Sequence, residues 1–261
     1  MDIKQQSNIL QVDNLNVFYG PFQAVNNVSF NVLQGEIFGL LGPNGAGKTS
    51  TLSAVEGLLK QQSGTVTVAG YDTLQKPLYA RAAMGVQLQA TSFQPELNVV
   101  DILRLYGSIY GVDMTKEKLS ALLKEINLTD AENKKFGQLS GGQQQRVSLA
   151  ITTIHEPKLV LLDEPTSGLD PQSRRQLWTR IEAIREKGNG VLLTTHSMEE
   201  AEAVCDRISI IDHGRIIATG TPQSLIDKHR DDPDVIAVSR RGKITLEDVF
   251  IALTGSAVRP V

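Results

Sequence analysis

The sequence predicts an α/β fold, with a mostly parallel sheet, an antiparallel β-subdomain beside it and a helical subdomain inserted at about 90–155. Three observations carry that prediction. A glycine-rich loop, GPNGAGKT over Gly42–Thr49, follows the apolar run Glu36–Leu41 and opens a helical pattern over Lys48–Leu59. Short apolar runs at Leu159–Leu162 and Gly190–Thr195 each end in polar residues, as central parallel strands do. Helical patterns separate them, and strand–helix alternation of this kind covers both faces of one sheet.

Taken in order, Ile9–Tyr19 and Ala24–Val32 alternate apolar and polar residues and read as strands joined by a turn at Gly20-Pro21. Thr65–Ala69 is a further strand between glycines. Tyr19 fits ordinary sheet packing and equally an exposed aromatic that stacks on an adenine ring. In the glycine loop, Gly42, Gly45 and Gly47 let backbone N–H groups turn around an anion, since a Cβ would restrict φ or block its approach. Pro43, Asn44 and Ala46 complete the cradle, and Ser50 follows just inside the helix. Lys48 supplies a positive charge for the β- and γ-phosphates of a nucleotide, and the Thr49 hydroxyl suits Mg²⁺. The helix start adds free N–H groups and the positive end of its dipole.

The texture then changes. Val99–Tyr110, with Asn98 as N-cap, and Thr115–Asn127 carry apolar residues on one side each, so the insert is helical. In Leu139–Gln143 (LSGGQ), Ser140 and Gln143 have capping-box spacing and start a helix running to about Ile154. Gly141 and Gly142 either shape that start or leave bare N–H groups for a phosphate. Asp163 and Glu164 end the next strand, where sheets of this kind bind ligands. Asp163 suits Mg²⁺ and Glu164 a general base acting on water. Asp170 reads as an N-cap with Pro171 at N1. His196 ends a strand beside the same site, where it can contact a γ-phosphate. Ser197 and Glu200 have capping-box spacing for a helix to Ile208. Beyond residue 225, a short strand at Val235–Val238 and an amphipathic helix at Leu246–Leu253, capped by Thr245 and Gly255, form a C-terminal extension.

Composition narrows the function. The chain has 261 residues, a net charge of −3 and one cysteine, Cys205. That balance gives no basic footprint for nucleic acid, and one thiol makes neither an internal disulfide nor a cysteine zinc cluster. The N-terminal stretch has no signal-peptide core and no apolar run is long enough to span a bilayer, so a membrane role is expected to come through a partner.

With Gly42–Thr49, Leu139–Gln143 and Leu159–Glu164 in this order, the chain resembles the nucleotide-binding subunits of ABC transporters over roughly residues 9 to 225. The conjunction carries the resemblance, because a phosphate loop alone marks many NTPases. It implies a P-loop NTPase core binding ATP and Mg²⁺ and hydrolysing ATP. Carried over residue by residue, it implies that Tyr19 stacks on adenine and that His196 is the switch histidine. Gln89, in the MGVQLQ context, is implied to contact Mg²⁺ and sense the membrane partner. Ser167–Asp170 is implied to communicate across a head-to-tail dimer, in which Ser140–Gln143 of one subunit closes over the ATP of the other. The partners implied are a second copy, or a second ATPase subunit, and an integral-membrane permease, which place the protein in the cytoplasm at the inner face of the membrane. The end of the chain, Thr245–Gly255, is similar to that of ATPases energising ABC-2-type export permeases, antibiotic-efflux systems among them. The alternative is a soluble ABC-type ATPase working on DNA or ribosomes, against which the acidic balance and the single cassette both count.

Overall fold

The computed structural model describes residues 7–87, 93–239 and 242–255. The chain opens with strands β1 (Asn8–Tyr19), β2 (Phe22–Leu33) and β3 (Ile37–Leu41), then helix α1 (Lys48–Val55). Strands β4 (Ser63–Val68) and β5 (Tyr71–Asp72), helix α2 (Pro77–Ala82) and strand β6 (Met84–Val86) follow. Helices α3 (Val99–Ile109), α4 (Lys116–Glu125) and α5 (Gly141–Thr152) make the helical insert. The second half alternates: β7 (Leu159–Asp163), α6 (Pro171–Glu186), β8 (Gly190–Thr195), α7 (Met198–Val204), β9 (Arg207–Asp212) and β10 (Arg215–Gly220). It closes with α8 (Pro222–Lys228), α9 (Pro233–Val238) and α10 (Leu246–Thr254).

Two sheets result. The larger has strand order β10-β9-β3-β8-β7-β6, parallel except for the β9–β10 hairpin, and the smaller has β2-β1-β4-β5, antiparallel throughout. Side chains alternate across the larger sheet with the period of two that a pleated strand imposes. Phe38, Leu40, Leu159 and Leu161 face a core shared with β1, β2, β4 and α1. Ile37, Leu41, Val160 and Leu162 face the opposite core, with α6, α7 and the C-terminal helices. A third cluster, built on Ile102, Leu103, Leu123, Val147 and Ile151, holds the helical insert together. Asn98 caps α3 as expected, its side-chain oxygen accepting from Asp101 N at 2.8 Å.

Three expectations are corrected. The helix after the phosphate loop stops at Val55 rather than Leu59, because the chain turns out through Gly57 at φ 67°, a left-handed conformation that terminates helices. Val235–Val238 is helical, not a strand. Asp232 accepts from Asp234 N at 3.0 Å and Pro233 occupies N1, and this capping outweighs the β-branched residues behind it. The helix opened by Ser197 ends at Val204 instead of reaching Ile208. Asp206 exchanges hydrogen bonds with Ile37, its N–H donating to Ile37 O and its Oδ2 accepting from Ile37 N, both at 2.8 Å. That contact starts β9 alongside β3. Ser197 does cap the helix, accepting from Glu200 N at 3.3 Å, but the Glu200 side chain turns inward instead of closing a capping box. The apolar face of α10 packs on the body of the chain: Leu246, Val249 and Phe250 are buried against the same core as Trp178 and Val204. Cys205 is buried there too, and burial pushes its thiol far above the usual range, so it packs as an apolar side chain.

Candidate functional site

Register places the site. Leu41 lies level with Thr195, and Asp163 with Thr194, so the C-terminal ends of the neighbouring strands β3, β8 and β7 finish on one line. The Gly42–Thr49 loop, Glu164 and His196 each begin at that line. Parallel strands with right-handed crossovers put such ends at one edge, where the loops converge.

Two glycines in the loop are required by close approach. A Cβ on Gly42 would lie 2.4 Å from Ile211 O, and one on Gly47 would lie 2.5 Å from Ala24 O. Gly47 is also left-handed, with φ 103°, and as N-cap of α1 it offers no side-chain oxygen to the first turn. That helix start is therefore uncapped. Lys48 is only 5 % exposed, and its ammonium curls back into the loop, donating to Gly42 O at 2.9 Å and Pro43 O at 3.2 Å. It also lies 3.2 Å from Glu164 Oε1.

Glu164 leaves β7 with φ 45°, an uncommon conformation for a residue with a side chain. Its N–H is held by Thr194, through the carbonyl at 3.2 Å and Oγ1 at 3.0 Å. His196 Nδ1 is 3.2 Å from Glu164 Oε2, within ion-pair range. Burial pushes the Glu164 carboxyl up, but Lys48 and His196 together outweigh it and the carboxyl stays below its ordinary value. A carboxylate that is ionised at neutral pH results. The Thr194 hydroxyl donates to Asp163 Oδ1, and the Thr49 hydroxyl donates to Asp163 Oδ2 at 3.3 Å. Thr194 therefore orients both acids. The sequence reading passed over it, although a polar residue closing a buried strand was the available signal.

Thr49 and Asp163 give a pair of hard oxygen donors at the mouth of the loop. That chemistry fits Mg²⁺, which takes few protein ligands and completes its shell with water and phosphate oxygens. Among the described residues no group of three or more His, Cys, Asp or Glu side chains could hold a metal unaided. Gln89 lies outside the described residues. Gln87 is turned elsewhere: its Nε2 donates to Gln145 Oε1 at 2.7 Å, tying the end of β6 to α5.

Tyr19 is 51 % exposed, with its hydroxyl 3.5 Å from Ser50 Oγ, so its ring stands clear of the sheet core at the start of α1. Asp170 caps α6, accepting from Gln172 N and Ser173 N at 3.0 Å each, and the Ser173 hydrogen bonds hold its carboxyl below the usual range. Ser140 and Gln143 form the full capping box: Ser140 Oγ accepts from Gln143 N at 3.3 Å, and Gln143 Oε1 accepts from Ser140 N at 2.9 Å. Gly142 packs against α6, where an added Cβ would meet Ser173 Oγ at 2.4 Å. No hydrogen bond or ion pair among the described residues joins Ser140–Gln143 to the phosphate loop. Lys48, Thr49, Asp163, Glu164 and His196 thus come together, and the LSGGQ start stands apart.

The family model described as ABC transporter matches residues 25–167, more than half of the chain. The chain is 41 % identical, over 84 % of its length and 73 % of the relative's, to the Nod factor export ATP-binding protein I of Cupriavidus metallidurans. It is 38 % identical to the linearmycin resistance ATP-binding protein LnrL of Bacillus subtilis, over 84 % of this chain and 71 % of that one. Among solved structures, an ATP-binding subunit of an ABC transporter superposes with a TM-score of 0.80 at 29 % identity, covering 94 % of this chain and 99 % of that one.

Proposed function

The chain belongs to the ABC transporter family and is an ATP-binding ATPase cassette; from that premise we propose that it energises export through a separate integral-membrane permease of ABC-2 type. Relatives named for Nod factor export and for linearmycin resistance support the direction of transport. No helix among the described residues is long and apolar enough to cross a membrane, so the reading assigns the membrane passage to a partner at the cytoplasmic face. Residues 1–225 serve as the nucleotide-binding unit, with the helical insert at about 90–155, and 226–261 as its C-terminal extension.

The observation that carries the mechanism is the common line on which β3, β7 and β8 end. In this reading the loop N–H groups and Lys48 take the β- and γ-phosphates, while Tyr19 stacks on the adenine. Bound at Thr49, Asp163 and Gln89, Mg²⁺ would neutralise charge on the phosphate oxygens. Glu164 accepts a proton from the attacking water on its carboxylate, and His196 holds the γ-phosphate side of that water. In the free chain Lys48 is paired with Glu164. A phosphate arriving at Lys48 competes for that cation and leaves the carboxylate free to act as base. Ser140–Gln143 serves the nucleotide of a second subunit, and Asp170 lies in the turn that faces it.

Glu164→Gln tests this. The variant is expected to bind ATP, lose about 10²–10⁴ in turnover and accumulate as an ATP-bound dimer, because closure no longer ends in hydrolysis. Near-normal turnover places the base elsewhere. Purification in detergent with an integral-membrane subunit tests the export assignment; a chain that purifies instead with ribosomes or DNA overturns it.

A further inference from the structure

Beside His196 lies a second polar cluster to which the proposed reaction assigns no role. At its centre is Glu200, 1 % exposed and so buried as few glutamates are. Trp178 Nε1, from α6, donates to Glu200 Oε1 at 3.1 Å. The hydroxyls of Thr195 and Thr166 face the same carboxyl, and Arg174 is the nearby cation. Oε2 makes no hydrogen bond of good geometry. A cavity of about 290 Å³ lies between this cluster and the site, lined by Glu164, Thr166, His196 and Glu200 among others.

The partners of Glu200 are the neighbours of the reacting groups. Thr195 immediately precedes His196 and Ser197 follows it. Ser197 N donates to Thr195 Oγ1 at 2.9 Å, and Ser197 Oγ accepts from Glu200 N at 3.3 Å. One flank of the histidine is thus capped on the backbone N–H of Glu200, while the Thr195 hydroxyl on the other faces its carboxyl. Thr166 lies two residues after Glu164, in the turn that leads to Asp170. Arg174 spans the same gap, pairing with Glu199 at 2.8 Å and donating to Leu169 O at 3.5 Å. A buried carboxyl with an incomplete set of partners costs stability, so its retention calls for an explanation other than folding.

We propose that Glu200 is a positioning residue for ATP hydrolysis: its buried carboxyl ties the strand end carrying His196 to the turn that follows Glu164, and so sets the distance between imidazole and base. This rests on the hydrolytic roles assigned above to Glu164 and His196. Burial pushes the Glu200 carboxyl up, against the Thr195, Thr166 and Trp178 contacts and Arg174, and the net shift is upward. A carboxamide keeps the shape of the side chain and an oxygen that can accept from Trp178 Nε1, which makes Glu200→Gln the conservative control.

The test compares wild type, Glu200→Ala, Glu200→Gln, His196→Ala and the Glu200→Ala/His196→Ala pair in the full chain. Turnover and ATP affinity are both measured. Misplacing a reacting group slows the step without touching nucleotide binding, so Glu200→Ala is expected to lose on the order of 10- to 100-fold in turnover at unchanged ATP affinity. Glu200→Gln should recover most of that loss. The double variant should be no slower than His196→Ala alone, since a residue acting only through His196 has nothing further to remove. Losses that multiply in the double variant overturn the proposal, as does near-normal turnover of Glu200→Ala. If Glu200→Ala does not fold, Trp178→Phe and Thr166→Val, each removing one partner of the carboxyl, take its place under the same criteria. A His196→Ala variant as fast as wild type defeats the role of His196 itself; a slow His196→Ala beside a fast Glu200→Ala defeats the Glu200 proposal alone.

Discussion

Two helices of this chain begin with glycine-rich segments, and they are finished in opposite ways. The start of α1 is open: Gly47 contributes no capping oxygen, and its left-handed backbone lets the preceding loop curl over the first turn. The start of α5 is closed on itself, with Ser140 and Gln143 each occupying the other's N–H group. Open N–H groups at the positive end of a helix are preorganised for an anion, whereas a capping box must exchange internal bonds for external ones. The first site is therefore ready in the isolated chain. In the head-to-tail dimer proposed above, the second would exchange its internal bonds only when a partner's phosphate competes for them.

The comparison breaks most severely at Lys48. Lys48→Ala is expected to abolish ATP binding at micromolar nucleotide, because Lys48 is the one cation inside the Gly42–Thr49 loop. Unchanged affinity in a nucleotide titration would show that the open start is not where the phosphates sit. The next largest effect is at the closed start. Ser140→Arg leaves the loop around Lys48 untouched, so ATP binding to the isolated subunit should persist while dimerisation and hydrolysis fail. Mixed with Lys48→Ala it should regain some activity, since a heterodimer then holds one site with both defects and one with neither. Normal hydrolysis by Ser140→Arg alone, or loss confined to monomer affinity, ends the reading that LSGGQ acts in trans.

The smallest effect lies at the far end of the open helix. Burial, with Asp163 nearby, raises the carboxyl of Glu56 from 4.5 to about 7. A carboxylate at a helix C-terminus also opposes the dipole. Between those pH values the folded chain holds a proton that the unfolded chain has lost, so stability falls as pH rises through that window. Glu56→Gln should therefore raise thermal stability at pH 8, by about 1 kcal/mol once partial exposure is discounted, and leave it unchanged at pH 4. Melting curves of the nucleotide-free protein at the two pH values decide it; an equal gain at both removes the titration from the explanation.

The difference between the two starts was half legible in the sequence. Ser140 and Gln143 announced their capping box by spacing alone, because capping is decided within four residues. The same reading also allowed bare N–H groups at Gly141 and Gly142, and the box takes up only those of Ser140 and Gln143. The phosphate loop, the Asp163-Glu164 pair and the Asp170-Pro171 cap were likewise local signals. What escaped depends on partners distant in the chain. β9 forms because Asp206 meets Ile37, some 170 residues away, and nothing near Ile208 reveals it. Thr194 gains its role only when β7 lies beside β8. Glu200 was read as half of a cap and is instead the centre of a buried cluster, since Trp178 reaches it from another helix.

The backbone at Glu164 has a consequence for inheritance. A side chain held at φ 45° costs about 1 kcal/mol relative to glycine, which occupies that region without strain. Selection for folding yield or heat resistance alone would therefore favour Glu164→Gly, less whatever the Lys48 ion pair returns. With Glu164 as the base proposed above, selection for turnover is what retains the carboxylate. Lineages released from that demand should lose glutamate here early, so the residue found at this one position records whether a descendant still works for its living.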